Sequence, residues 1–184
     1  MIFAAPVGSP VGLHLLSVPM PNSGTRQDAR LSIRTALKQR LRELLGDCGN
    51  DAVLRSTPGQ AVCLAAPFAQ IGLSISHEPG LSVAAINLAG RVGIDLMCLH
   101  APFPDMEALA MDYLGPAVCA AIQKHPVTGR SEVFARAWTA HEACLKCLHL
   151  SLVEWTPELA KSLATCCLMA IDTEPGMVAS VAFY

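Results

Sequence analysis

Charge is scarce in this 184-residue chain. Asp, Glu, Lys and Arg make up 15% of it and nearly cancel, leaving a formal net charge of -2. A chain without a basic excess lacks the electrostatic footprint of a nucleic-acid binder. Aromatic residues are thin too, at 5%, which removes the base-stacking platform of single-strand binders. No apolar run reaches about 18 residues, the length a membrane-spanning helix needs. The first Lys or Arg is Arg26, and Pro6 and Pro10 interrupt the apolar beginning. Neither the charged part nor the unbroken apolar part of a secretory signal is therefore visible. The phosphate-cradling patterns G-x-x-x-x-G-K and G-x-G-x-x-G are also missing, so any handling of phosphate must rest on side chains and a metal ion.

What the chain does have is apolar bulk. Hydrophobic residues reach 52%, enough to bury a sizeable core in one compact domain or two small halves sharing it. Eight cysteines are present. Without a secretory signal they read as reduced, mostly buried thiols of a cytoplasmic protein.

The pattern runs strand, helix, several strands, then helices, then strands. Val11–Val18 reads as a strand, followed by a turn at Pro21–Gly24. From Thr25 to Leu45, Ala29, Ile33, Ala36, Leu37, Leu41, Leu44 and Leu45 recur at helical spacing, with Arg30, Arg34, Lys38 and Arg42 on the other face and Gly46 as the stop. Most of those cations read as a solvated face. After a loop from Gly49 to Gly59 come strand-like runs at Ala61–Ala65, Gly72–Ser76, Leu81–Ile86 and Val92–Leu96. Asn87–Gly90 reads as a hairpin joining the last two. Pro102 and Pro104 break the chain, Asp105 is placed to cap a helix through Tyr113, and a short helix follows Pro116. Ser131–Leu150 is the strongest helix, with Phe134, Ala137, Trp138, Leu145 and Leu148 on one side. Leu163–Ile171 and Met177–Phe183 read as a closing hairpin around Pro175-Gly176. This order predicts an α+β fold with a mainly antiparallel sheet.

Two segments carry the chemistry. Asp95 interrupts an apolar strand at what reads as its tip. Alone it reads as a carboxylate paired with a turn amide. Glu142, however, lies on a helix beside the core residue Trp138, where a long charged side chain is seldom buried unless paired. Two carboxylates at apolar borders repel unless a cation sits between them, and magnesium takes one or two protein carboxylates and completes its shell with water and phosphate oxygens. Lys146 follows Glu142 by four residues, so both project from one helical face, as an ordinary ion pair or as a cation reaching the same phosphate. His77 ends the strand that carries Ser76. Other patterns fail. His141-Glu142 begins like a zinc-protease helix, but position 145 is Leu. Cys144 and Cys147 form a lone C-x-x-C inside a helix, and the adjacent Cys166 and Cys167 face opposite sides of a strand.

These residues resemble the 4'-phosphopantetheinyl transferase superfamily, in its larger, two-half type. That family shows an S-H pair at a strand end, a G-[IV]-D-[IV]-E strand, and W-x-x-K-E-[AS]-x-x-K on a helix. Here the matches are Ser76-His77, Gly93-Ile94-Asp95, and Trp138, Glu142, Ala143 and Lys146. Three positions depart from the pattern: Met97 replaces the second acid of the strand, His141 the lysine before the glutamate, and Gln60 a turn lysine.

The resemblance implies two similar α/β half-units, 1–92 and 93–184, related by a pseudo-twofold, with the site between them. It implies Mg²⁺ on Asp95 and Glu142, coenzyme A as co-substrate, and an apo acyl or peptidyl carrier protein as partner of a monomeric enzyme. Glu142, Lys146 and His77 take catalytic roles. Ser76, His77, Lys146, His141 and Lys38 contact coenzyme A, Lys38 at the 3'-phosphate. Met97, His141 and Gln60 favour a second reading, a catalytically impaired relative that binds coenzyme A or a carrier protein. A third reading is a cysteine-based metal or redox protein.

Overall fold

A computed structural model describes residues 2–3, 6–21, 25–56, 61–99, 103 and 105–184. Gly59, Gln60, Pro102, Pro104 and most of the turn at Pro21–Gly24 lie outside the described residues. The chain runs β1 (Ile2–Phe3), β2 (Leu13–Pro19), α1 (Arg26–Leu45), β3 (Leu54–Arg55), β4 (Cys63–Leu64), β5 (Gly72–Glu78), β6 (Leu81–Asn87), β7 (Val92–Cys98), α2 (Met106–Leu109), α3 (Pro116–Gln123), α4 (Val127–Leu148), α5 (Pro157–Leu163), β8 (Cys167–Ile171) and β9 (Met177–Phe183). The α+β class predicted from the pattern is the one observed.

Helix α1 starts where Thr25 and Asp28 cap each other. The Thr25 hydroxyl accepts the Asp28 N–H at 3.2 Å, and the Asp28 carboxylate accepts the Thr25 N–H at 2.9 Å. Ile33, Leu37 and Leu41, each four residues from the next, are fully buried, worth about 2 kcal/mol apiece by the usual area relation. Gly46, at φ 60°, ends the helix in a conformation that favours glycine.

The strands form two main antiparallel sheets, β1-β2-β6-β5 and β7-β9-β8, with β3-β4 as a separate pair. In each main sheet a long helix follows one strand (α1 after β2, α4 after β7), and a hairpin follows whose second strand stands in the middle. Strand alternation then sorts the side chains into layers. Leu81, Val83 and Ala85 of β6 share one core with Val92, Ile94 and Leu96 of β7. Ala84 and Ile86 turn to the opposite face and pack with Ile33, Leu37 and Leu41 of α1. On the far face of the second sheet, Ala182 packs with Ala143, Cys144 and Cys147 of α4. The layers run α1, sheet, sheet, α4.

Several expectations are corrected. Asn87–Gly90 is not a hairpin, because β6 and β7 belong to different sheets. The buried Asn87 carboxamide accepts the Ala89 N–H and donates to the Arg91 carbonyl, turning the chain out of the first sheet. Asp105 makes no capping hydrogen bond and sits at φ 61°, and α2 passes into a π-turn at Ala110–Leu114. Helix α4 begins at Val127 and ends at Leu148. Leu163 closes a helix, α5, capped by Thr156, and does not open a strand. The Ala61–Ala65 run contributes only Cys63 and Leu64. All eight cysteines are free, but Cys48, Cys63 and Cys167 are exposed.

Candidate active site

The two sheets meet along β5 and β7, and side chains make the join. Ser74 Oγ accepts the Ile94 N–H at 3.0 Å and Ser76 Oγ accepts the Leu96 N–H at 3.3 Å. Both strands advance by two residues between these contacts, so they run in the same direction. Ser76 also donates to Asp95 Oδ1 at 2.9 Å, which fixes a carboxylate that is 7% exposed in the interior of β7, not at its tip.

Helix α4 lies against this strand at Gly93. A Cβ there would collide with the carbonyl oxygen of Ala143 and reach within 2.5 Å of the Cys147 nitrogen. The close approach brings Lys146 down onto Asp95. Its ammonium lies 2.6 Å from Asp95 Oδ1, 3.2 Å from the Ile94 carbonyl and 3.5 Å from Ser76 Oγ. Glu142, one turn earlier, is half-buried. Burial and then the charge of Asp95 push its carboxyl above the ordinary carboxylate range, with Lys146 opposing them. The N-terminal half of α4 is held by aromatics: Trp138 meets Phe134 at 5.6 Å and Tyr113 at 5.9 Å, ring centre to ring centre.

Beside the Lys146–Asp95 pair opens a cavity of about 710 Å³, lined in part by Arg30 and Arg34 of α1, Ser56, His77, Lys146 and His149. Alternation on β5 sends Leu73 and Ile75 toward α1, and His77 follows them. Its Nδ1 shares a hydrogen bond of 2.8 Å with the buried Ser82 hydroxyl. Burial, then Arg30, Arg26, Lys146 and Arg34, keep the ring below its ordinary pKa. Arg34 is oriented by a hydrogen bond to Ser56 Oγ at 2.6 Å. With the guanidinium groups of Arg30 and Arg34 and the Lys146 ammonium in its lining, the cavity is suited to a polyanion.

Of the predicted residues only His77 and Lys146 line it. Asp95 and Ser76 lie behind Lys146, in contact with its ammonium, and Glu142 does not line it; two others stand further apart. Lys38 is exposed on α1 and is not among the residues lining the cavity, although Arg30 and Arg34, in the same i, i+4 row, are. His141 does not line it either. Its Nε2 is buried without a hydrogen-bond partner, and burial pushes its pKa down. A histidine held neutral in the fold resists a proton that the unfolded chain takes up near pH 6.5, so its contribution to stability is present above that pH and is lost as pH falls through it. We expect His141→Gln to flatten the fall in Tm between pH 7 and pH 5 relative to the parent. Parallel slopes would contradict this.

Sequence reasoning missed Glu78, which follows Ser74 and Ser76 on the same side of β5. Burial, and then Asp95, push its carboxyl above the ordinary range. The i, i+2 spacing was the available signal. It also missed that Cys166 joins Cys144 and Cys147 beneath α4. Burial and then Cys166 drive both of those thiols up to about 12, which makes them poor nucleophiles and ligands.

For a metal ion the donor set is lean. Among the described residues, no three His, Cys, Asp or Glu side chains converge closely enough to hold one unaided. Yet the Lys146 ammonium already rests among oxygen donors from Asp95, Ser76 and Ile94, where it stands in for a hard cation. Asp95 and Glu142 with water and ligand oxygens fit the habits of magnesium.

Residues 91–167, from the start of β7 to the start of β8, match the model of the 4'-phosphopantetheinyl transferase superfamily. The protein named 4'-phosphopantetheinyl transferase HetI, from Nostoc sp. (strain PCC 7120 / SAG 25.82 / UTEX 2576), is 36% identical over 81 residues, 43% of this chain. The match covers 34% of that relative's length.

Proposed function

We propose that the chain transfers the 4'-phosphopantetheine arm of coenzyme A to a serine of an apo acyl or peptidyl carrier protein, releasing 3',5'-ADP in a Mg²⁺-dependent reaction. The observation that carries this reading is the convergence of Asp95, Glu142 and Lys146 beside a cavity with a cationic lining. Arg30, Arg34 and His77 bind and orient the phosphates, and Lys146 balances the charge of the transferred phosphoryl group. Asp95 and Glu142 hold Mg²⁺, which when bound supplies Lewis-acid neutralisation of the diphosphate. Glu142 accepts the proton of the attacking serine hydroxyl. The serine oxygen forms the new P–O bond, the anhydride P–O bond breaks, and 3',5'-ADP leaves with the electron pair, so no covalent enzyme intermediate is needed.

The matching connectivity of the two main sheets supports half-units of 1–92 and 93–184; that they work as one monomeric globule is part of the proposal. Among the described residues no helix is long and apolar enough to cross a membrane.

The test is direct. Incubated with coenzyme A, Mg²⁺ and several apo carrier proteins, the chain should add the prosthetic group to at least one of them, seen as a mass increase on its serine. The specific features that favour a binding module are Met97 in place of an acid and the half-buried His141, whose Nε2 is without a hydrogen-bond partner and whose pKa is pushed down by burial. Saturable coenzyme A binding without any mass increase would establish that reading instead.

A further inference from the structure

Three thiols meet beneath α4, outside the cavity lining. Cys144 and Cys147 are 6% and 0% exposed, and Cys166, from the turn between α5 and β8, packs against them with Ala143 and Ala182. The Cys166 side chain is hydrogen-bonded to each of the two helix thiols. None of the three takes part in the proposed transfer. We propose that this cluster is an oxidation site, at which Cys166 joins one of the two helix cysteines in a disulfide that staples the α5–β8 turn to the C-terminal half of α4.

Geometry selects the pair. Helix positions three apart hold their Cβ atoms about 5–6 Å apart, whereas a disulfide needs about 3.5–4.5 Å. Cys144 and Cys147 therefore cannot bond each other unless α4 unwinds. That helix has no slack, because Gly93 is pressed against Ala143 and Cys147. Cys167 opens β8 and is exposed, while its neighbour Cys166 turns to α4. Cys166 lies in a turn, where its N–H donates to the Leu163 carbonyl at 3.1 Å. The turn, not the helix, has the freedom to close the gap from thiol contact to an S–S bond of about 2.05 Å.

Access orders the steps. Of the three thiols only Cys166 is partly exposed, so a peroxide reaches it first. With hydrogen peroxide as oxidant, the Cys166 sulfur takes one oxygen to become a sulfenic acid and a water molecule leaves. The Cys144 or Cys147 sulfur then attacks the Cys166 sulfur. The S–S bond forms, and the sulfenic hydroxyl departs as a second water with the proton of the attacking thiol. Two thiols have lost two electrons, and the peroxide has gained them. Burial pushes the attacking thiol up to about 12, so roughly one part in ten thousand is ionised at pH 8. Contact with its target supplies an effective concentration of about 10⁵ M or more, which more than offsets that loss. The closed ring contains 150–156, a stretch with neither helix nor strand, and with it His149, Leu150 and Ser151 of the cavity wall. Oxidation thus restrains one wall of the cavity from behind.

Treatment of the full chain with hydrogen peroxide, then alkylation of the remaining thiols and tryptic mapping, tests this. Trypsin cuts at Lys146 and so separates Cys144 from Cys147. The expected product links the Cys166 peptide to one of those two. Tm of the oxidised chain should exceed that of the reduced chain by roughly 5 °C and return to it with dithiothreitol. The amides of 150–156 should exchange with deuterium at least about threefold more slowly. Cys144→Ser and Cys147→Ser should each still form a bond through the helix thiol that remains. Cys166→Ser and Cys166→Ala should form none, and their Tm should not rise with peroxide. A Cys144–Cys147 bond, a bond from Cys167 in place of Cys166, or no bond among the three under conditions that oxidise the exposed Cys48 overturns the proposal. Unchanged Tm and unchanged exchange in the bonded chain overturn the staple. The parent map stands without the variants, whose folding is checked by circular dichroism. The carrier-loading assay alone decides the proposed function, so the two readings fail separately.

Discussion

Gly93→Ala is expected to lower Tm by roughly 10 °C and to cut the proposed transfer by at least about a hundredfold. The added methyl group has nowhere to go. It would overlap the backbone carbonyl of Ala143 and crowd the Cys147 nitrogen, neither of which can rotate aside. Helix α4 must lift from β7, and overpacking of this kind costs about 3 kcal/mol, with each kcal/mol worth roughly 2–4 °C in a chain of this size. Activity should fall further than stability accounts for. The same helix carries Glu142 and Lys146, and a shift of about 1 Å in reacting groups is enough for a hundredfold loss. Thermal unfolding and the carrier-loading assay check both halves. A Gly93→Ala chain with parental Tm and rate would show that the helix does not rest on this strand as described.

Asp95→Asn separates chemistry from fold. The carboxamide keeps an oxygen for the Ser76 hydroxyl but loses the charge that meets Lys146 at 2.6 Å. Lys146 is 30% exposed and can turn to water, so the structural cost is about 1–2 kcal/mol, discounted for screening, and Tm drops by roughly 5 °C. The proposed loss of a metal-holding carboxylate removes several kcal/mol of transition-state stabilisation, on the order of a thousandfold in rate at 1.36 kcal/mol per decade. Transfer at the parent rate in this variant would end the assignment of Asp95 to the metal.

Local chemistry was legible from residues and long-range placement was not. The start and stop of α1 could be read because Thr25 and Gly46 are neighbours in sequence of what they terminate. The strands β5, β6, β7 and β9 announced themselves as short apolar runs. Asn87–Gly90 misled because a turn signal marks a change of direction and says nothing about whether the chain stays in the same sheet. Asp95, Glu142 and Lys146 were picked out from their apolar surroundings, and β7 and α4 do bring them together. Lys38 was the residue singled out on α1, whereas Arg30 and Arg34 line the cavity: the three look alike in sequence, and only the position of β5 decides which of them share a lining with His77. Glu78 and Cys166 were missed for the same reason, since each gains its neighbours from strands or helices distant in the chain.

The serine contacts between β5 and β7 have a further consequence. Both strands are sheet borders, and a border with bare amide groups invites the strand of another molecule to add to it. Hydroxyl groups from one border here quench the Ile94 and Leu96 amides of the other. The two borders thus shield each other from aggregation, without being welded into a single continuous sheet.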